Sequence, residues 1–221
     1  MMMDAAPGDD GGDSRRPYHH GDLPAALLAA VASLVEEQGL EAVTLRAAAR
    51  HAGVSHAAPA HHFRDKSGLL AAFAAQGFEA FTRDLEQARN TTEGTPAEQL
   101  DAMGRAYLAF AVAHRPWFEV MFRPELIGEH RAEVSEVGKR SFEAVVAQVA
   151  SCLTPQTPPE EIAGLAMSAW ATVHGLAHLL SAGPAHDLQV AEADAMTDAV
   201  PATLLAGMRA NPRWIGDTIP N

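Results

Sequence analysis

Apolar residues recur at three- and four-residue spacing along most of this 221-residue chain, and no segment alternates with the two-residue period of a half-buried strand. The helical pattern starts near residue 23. It breaks where glycine, proline and polar residues cluster, around residues 39, 53, 90–96 and 154–159. The stretches between these breaks have the lengths of separate helices. We therefore predict an all-α fold of about nine helices without a sheet.

Cysteine usage and hydropathy limit the class of protein. Cys152 is the one cysteine, which excludes an intrachain disulfide framework and a multi-cysteine zinc site. No stretch approaches the roughly 18 apolar residues of a membrane span, and the acidic start lacks the pattern of a secretory signal. We expect a cytoplasmic protein in which Cys152, with no base beside it, is an inert buried thiol.

Charge is unevenly distributed along the chain. The formal net charge is −12, yet residues 14–70 carry six basic and five acidic side chains together with six of the eleven histidines. This segment is therefore neutral to basic within an acidic chain. If any part of the molecule meets a phosphate backbone, we expect it to be this one.

Residues 44–66 have the features of a helix-turn-helix unit. Thr44 can cap one short helix and Ser55 the next, and Gly53 lies at the turn between them, where a positive φ costs glycine little. Small residues such as Ala48 and Ala49 allow the two helices to approach closely. The second helix would offer small and hydrogen-bonding side chains to a major groove. The spacing alone is equally typical of a plain αα-corner in a helical bundle.

Longer motifs surround this unit. They are YHHGDL at residues 18–23, EEQGLEAVTLR at 36–46, AGVS at 52–55, HHFRDK at 61–66 and two leucines at 69–70. In this order and spacing they resemble the DNA-binding domain of the TetR family of bacterial transcriptional repressors. HRPWFEVMF at 114–122 and WATVHGL at 170–176 resemble a C-terminal regulatory domain of one branch, which carries a W-x-x-x-H-G signature.

The resemblance implies a two-part, non-enzymatic regulator without a cofactor. It places a flexible tail at residues 1–16, a helix-turn-helix DNA-binding domain at 17–64, a ligand-binding and dimerisation domain at 65–211, and a C-terminal tail at 212–221. The homodimer would form through helices 160–182 and 188–210, with small residues at Gly164, Ala166, Ala169 and Gly175 and an apolar face at Leu165, Leu176 and Leu179. The chain would bind a palindromic operator in double-stranded DNA and be released by a small-molecule effector.

The DNA-binding residues follow from the predicted recognition helix at 55–62. His56 and Ala57 would read bases, Thr44, His61 and Lys66 would hold phosphates, and Arg15 and Arg16 would form a mobile arm. The complete predicted set is Arg15, Arg16, Thr44, Arg46, Ser55, His56, Ala57, His61, His62 and Lys66.

Two positions depart from the family pattern. Ala60 stands where the family usually has an aromatic residue, commonly tyrosine, that touches the DNA backbone, so one contact is missing. Pro59 lies four residues after the Ser55 cap, where its ring crowds the Ser55 carbonyl, and we expect it to bend the start of the helix.

Aromatic residues and methionine predict an effector pocket in the C-terminal domain. The expected effector is mostly apolar and neutral or weakly polar, with Tyr107 and His174 as polar contacts. The helix at residues 66–76 would link pocket to DNA, with Gly77 as a hinge. A filled core without a cavity is the alternative. The predicted lining is Met103, Tyr107, Phe110, Phe118, Phe122, Phe142, Met167, Trp170 and His174.

Other classes keep weaker support. An all-helical acid–base enzyme could use His114, Glu119 or His174, and a helical interaction module without DNA affinity is consistent with Ala60 and the low net basicity. His174 and His178 have zinc-ligand spacing, but no cysteine or acid lies at a matching offset, so we predict no metal site.

Overall fold

The computed structural model describes residues 23–181 and 190–219. These ranges contain nine α-helices and no β-strand, so the all-α prediction is confirmed. The helices are α1 (Leu23–Gln38), α2 (Leu45–His51), α3 (Ala58–Phe63), α4 (Lys66–Thr91), α5 (Pro96–Ala113), α6 (Arg115–Met121), α7 (Arg131–Ser151), α8 (Pro159–Ser181) and α9 (Val190–Met208). Short 3₁₀ turns lie at Leu40–Ala42, Pro124–Leu126 and Gly128–His130.

The N-terminal unit consists of α1, α2 and α3 packed against the start of α4. The apolar face of α1 is buried, with Leu27 and Val31 fully inaccessible, although Leu23 is only partly covered. The chain leaves α1 through Gly39, whose φ of 81° favours glycine. The predicted arm residues Arg15 and Arg16 lie outside the described residues.

Helix α4 runs without a break from the N-terminal unit through the C-terminal domain. It packs against α1 and α3 near its start and against α5, α6 and α7 further along. The helix is continuous at Gly77, the predicted hinge, with no turn or break at this position. A Cβ on Gly77 would lie 2.7 Å from Met121 Sδ and 3.1 Å from Trp117 Cβ, so the glycine allows α6 to approach α4 closely.

Helices α5, α7, α8 and α9 complete the C-terminal domain. Thr95 and Glu98 form a reciprocal capping box that fixes the start of α5. Helix α5 lies centrally and packs against α4, α7, α8 and α9. No helix in the described ranges is long and apolar enough to cross a membrane.

The segment after α9, which includes most of the predicted C-terminal tail at residues 212–221, makes hydrogen bonds with the rest of the C-terminal domain. Trp214 pairs with Leu153, the Ile215 N–H donates to the Cys152 carbonyl at 2.8 Å, and the Ala97 N–H donates to the Gly216 carbonyl at 2.8 Å. Burial raises the pKa of the Cys152 thiol to about 12. The segment thus ties the start of α5 to the end of α7 and covers a protonated thiol.

Candidate nucleic-acid interface and effector site

The helix-turn-helix unit forms as the residue pattern predicts at its first helix and its turn. The Thr44 hydroxyl oxygen accepts a hydrogen bond from the Ala47 N–H at 3.0 Å and caps α2. Gly53 has a φ of 69°, which lets the chain turn sharply before α3. Ala48 and Ala49 are fully buried on α2, and Phe63 closes the unit from the end of α3. Helix α3 is thereby held across α2.

The recognition helix starts three residues later than predicted. Helix α3 begins at Ala58 with Ala57 as an N-cap that makes no side-chain hydrogen bond, so Ser55 is not its cap. Pro59 explains the difference, because proline fits the first turn of a helix but clashes with a carbonyl four residues earlier inside one. His56 and Ala57 therefore lie in a turn that leads into the helix, closed by a hydrogen bond from the Ala58 N–H to the Ser55 carbonyl.

The described members of the predicted DNA-binding set, Lys66 excepted, are exposed. This holds for Thr44, Arg46, Ser55, His56, Ala57, His61 and His62, whereas Lys66 is half-buried at the first position of α4. Ala60, which replaces the usual aromatic residue of the family, is exposed on α3. Arg50, Arg64 and His51 are exposed as well and add cations that the predicted set omits.

The junction between α3 and α4 is tightly constrained. Arg64 has φ 62° and ψ −61°, and the Asp65 N–H donates to the Phe63 carbonyl at 2.7 Å, which together make a positive-φ γ-turn. Asp65 then caps α4 by accepting the Gly68 N–H at 2.9 Å and the Ser67 hydroxyl at 2.7 Å. These hydrogen bonds hold the pKa of the Asp65 carboxyl below its usual value. The recognition helix is thus joined to α4 through a junction with little freedom.

An aromatic cluster fills the middle of the C-terminal domain. The ring of Trp170 on α8 meets the ring of Tyr107 at a centroid distance of 5.2 Å and that of Phe142 at 5.6 Å. The ring of His174 lies 4.6 Å from Phe122 and 5.6 Å from Phe118. The rings of six of the nine residues predicted to line a pocket are therefore in mutual contact.

The polar contacts of the cluster pair with each other. Tyr107 Oη and His174 Nδ1 are hydrogen-bonded at 2.8 Å. Burial raises the pKa of the Tyr107 hydroxyl, and it lowers the pKa of His174, helped by the nearby His178. Both side chains are therefore neutral near pH 7, as an uncharged interior requires. Among the described residues, no group of three histidine, cysteine or acidic side chains is placed to hold a metal ion.

The centre of the cluster is packed rather than hollow. A cavity of about 30 Å³ lies beside Met103, Tyr107 and Trp170, which is room for water-sized molecules only. Phe110 is buried against Phe81, with ring centroids 5.1 Å apart. In this state the interior matches the filled-core alternative.

The assignment of Met167 to the pocket wall is wrong. Its side chain is 53% exposed on the outer face of α8. Helix α8 is apolar almost all round, so periodicity could not distinguish its outer face from its core face.

Two open clefts flank Phe122 instead. The α6–α8 cleft, of about 400 Å³, lies over Phe118, Phe122 and His174 and also carries Arg115, Arg123 and His178. The α4–α7 cleft, of about 330 Å³, has Phe122 and Trp170 in its wall and Arg131 and Lys139 at its rim. The residue pattern did not predict these cations at a binding site, because charged residues on an amphipathic helix ordinarily form its solvated face. Arg115 lies within the HRPWFEVMF motif and Arg123 directly after it, so only these two had a sequence feature that pointed to the site.

Comparisons with known proteins agree with this architecture. The family model described as bacterial regulatory proteins, tetR family, matches residues 27–73, and the model described as tetracyclin repressor-like, C-terminal domain, matches residues 100–204. No curated protein matches the chain.

Solved structures share the fold over nearly their whole length. A protein with unknown function from Rhodococcus sp. RHA1 is 34% identical with a TM-score of 0.73, and the match covers 87% of this chain and 98% of that one. The TetR family transcriptional regulator PfmR from Thermus thermophilus is 20% identical with a TM-score of 0.63, covering 81% and 97%. The fatty acid degradation regulator FadR from Bacillus halodurans is 14% identical with a TM-score of 0.69, covering 87% and 99%.

The two family models together span more than half of the chain, and each coincides with one structural unit: the first with the capped helix-turn-helix, the second with the helices around the aromatic cluster. The family and the fold are those of transcriptional regulators rather than of enzymes. This chain belongs to the TetR family of DNA-binding transcriptional regulators.

Proposed function

We propose that the protein is a homodimeric repressor that binds a palindromic operator and leaves it when a small-molecule effector binds the C-terminal domain. The observation that carries the proposal is the exposed, cation-rich face of the helix-turn-helix on a chain whose net charge is −12. Arg46, Arg50 and Arg64 lie on this unit with four exposed histidines. Concentrating cations there suits a phosphate backbone.

A second copy of the chain accounts for the outer faces of α8 and α9. Residues 162–181 contain no aspartate, glutamate, lysine or arginine, and the exposed positions on α8 include Gly164, Met167, Gly175 and Leu179. Exposed positions on α9 are similarly small, among them Ala199, Ala206 and Gly207. An uncharged exposed face of this kind marks an interaction surface.

The glycines on this face support close helix packing between two chains. A Cβ added to Gly164, Gly175 or Gly207 would meet nothing within 4 Å, so the single chain gives no steric reason for glycine. Glycine inside a helix costs about 1 kcal/mol relative to alanine. Ala166, Ala169 and Leu176, predicted to help form the dimer, are instead buried within the chain. The proposed interface therefore uses the opposite side of α8.

The effector part of the proposal rests on the clefts around Phe122. They have the volume of small-molecule sites, and both lie against α6, which packs on α1 and α4. A ligand that separates these elements would change how the two recognition units of a dimer are held. Release then follows from a shift between two states with different DNA affinity.

The direct test selects duplexes from a random DNA pool with the full-length protein. We expect an enriched palindrome with half-sites about one helical turn apart and an affinity that falls steeply with salt concentration. An absence of enrichment and of salt-dependent binding would contradict the proposal and favour an interaction module without DNA affinity.

His56 is expected to contribute to base recognition. Its side chain is exposed in the turn before α3, where it can donate to a base edge. His56→Ala should weaken binding to the selected operator by about 1–3 kcal/mol and relax the preference at one base pair of each half-site. The measurement is fluorescence anisotropy on the operator and its single-base variants. His51→Ala, also exposed but at the end of α2, is the control; an unchanged base preference in His56→Ala would remove this role.

Lys66 is expected to hold a phosphate without reading sequence. It is the first residue of α4, directly after the junction with the recognition helix, and its ammonium group can pair with a phosphate. Lys66→Ala should weaken binding to all duplexes about equally and reduce the slope of log affinity against log salt by about one. Salt titrations on the operator and on an unrelated duplex test this. A changed sequence preference with the original salt slope would contradict it.

A further inference from the structure

The α4–α7 cleft is apolar at its floor. Its floor consists of side chains from α4, the end of α6, the following turn, α7 and α8: Phe78, Met121, Phe122, Ile127, Val134 and Trp170. Most of them are buried, while Phe122 and Trp170 remain partly accessible from the cleft. Close packing of α4 on α7 at the cleft edge depends on Gly138, where a Cβ would lie 3.0 Å from the Phe78 ring.

The rim of the cleft has one sign of charge. Arg131, Ser135 and Lys139 face it from the outer side of α7, and no acidic residue is among the described residues that line it. Lys139 Nζ lies 3.4 Å from Glu143, an exposed pair that is worth little in water. Arg131 forms no ion pair with a residue that the structure describes. In a chain of net charge −12, a cationic rim over an apolar floor is complementary to an anion with an apolar body.

The cleft is also next to the start of α4. The turn that contributes Ile127 continues to Gly128, where a Cβ would lie 3.6 Å from the Ser67 side chain. His130 follows, and its Nε2 lies 3.4 Å from the Cβ position of Gly68 and makes no hydrogen bond. A ligand against Phe122 and Ile127 would therefore press on the segment that touches the α3–α4 junction.

We propose that the α4–α7 cleft is the effector site and that its ligand is an amphipathic anion, with a carboxylate or phosphate group at Arg131 and Lys139 and an apolar body over Phe78, Phe122 and Trp170. This inference rests on the proposed function, since it names the ligand class for effector release. It differs from the neutral effector that the residue pattern favours. The difference comes from the two α7 cations, whose place at the cleft only the tertiary structure shows.

Matched ligands test the charge requirement. Decanoate, decyl phosphate, decanol and decylamine share one apolar chain and differ in the head group, and their binding to the full-length protein is measured by isothermal titration calorimetry. Both anions are expected to bind at least tenfold more tightly than decanol, and decylamine more weakly still. Equal affinity for decanoate and decanol would overturn the proposal; a preference for one anion over the other distinguishes a carboxylate ligand from a phosphate ligand.

Variants then locate the site. Arg131→Gln and Lys139→Gln should each weaken decanoate binding about tenfold while leaving decanol unchanged. Arg140→Gln removes an exposed cation one residue further along α7, outside this cleft, and should have no effect. Unchanged decanoate affinity in both Arg131→Gln and Lys139→Gln would contradict the assignment of the binding site to the α4–α7 cleft.

Operator release is measured separately by anisotropy. Tight, charge-dependent binding of decanoate without release would count against the proposed function and leave the binding site in place.

Discussion

Gly68→Ala is expected to weaken operator binding about a hundredfold and to destabilise the DNA-binding unit by about 3 kcal/mol, the upper end of overpacking costs. A Cβ at this position would lie well inside van der Waals contact of the Phe63 carbonyl oxygen and 3.1 Å from its carbon. That carbonyl also accepts the hydrogen bond that closes the γ-turn at Arg64. Because the colliding atom is backbone, relief requires α3 to move relative to α4.

Gly104→Ala is the matched control. Gly104 is also inside a helix, but a Cβ there would lie 3.5 Å from Pro201, an ordinary contact. Gly104→Ala should leave the free energy of unfolding unchanged or raise it by up to about 1 kcal/mol, because alanine favours a helix more than glycine does. Thermal unfolding measures the stability of the two variants, anisotropy measures their operator affinity, and hydrogen exchange over residues 45–68 measures local opening of the DNA-binding unit. Wild-type stability and operator affinity in Gly68→Ala would show that the junction tolerates displacement.

The residue pattern correctly predicted features that depend on neighbouring residues in the chain, such as helix caps and tight turns. Thr44 caps its helix as expected, and Gly53 takes the positive φ that its turn requires. Ser55 satisfies the same composition rule as Thr44 yet caps nothing, because Pro59 sets where α3 can begin. The steric requirement of Pro59 therefore outweighed the capping preference of Ser55.

Tertiary contacts determined what the pattern could not. The aromatic residues of α5, α6 and α8 were predicted to converge and they do, since large apolar side chains must be buried. Their convergence as a packed cluster rather than a hollow pocket depends on side-chain fit that spacing does not encode. Gly77 is similar: its role is to admit Met121, a residue more than forty positions later in the chain.

The outer face of α8 gives the other large expected effect. Gly175→Glu should convert the dimer to a monomer, because it places a carboxylate at the centre of an uncharged face where two helices would approach closely. The single chain has no atom within 4 Å of the new Cβ, and glutamate favours a helix more than glycine does, so the protomer should keep its fold. Analytical ultracentrifugation at micromolar concentration measures the loss of the dimer, and circular dichroism shows whether the protomer keeps its helical fold.

Loss of the dimer should cost about a hundredfold or more in affinity for the palindrome, since two half-sites are then bound independently. A single half-site duplex, in contrast, should bind the variant and the wild type alike, because each recognition unit is intact. Ala109→Glu adds the same charge at an exposed position on α5 and should change neither the assembly state nor the affinity. If Gly175→Glu remained a dimer with full operator affinity, the two chains would have to meet through another surface, and the glycines of α8 and α9 would need a different explanation.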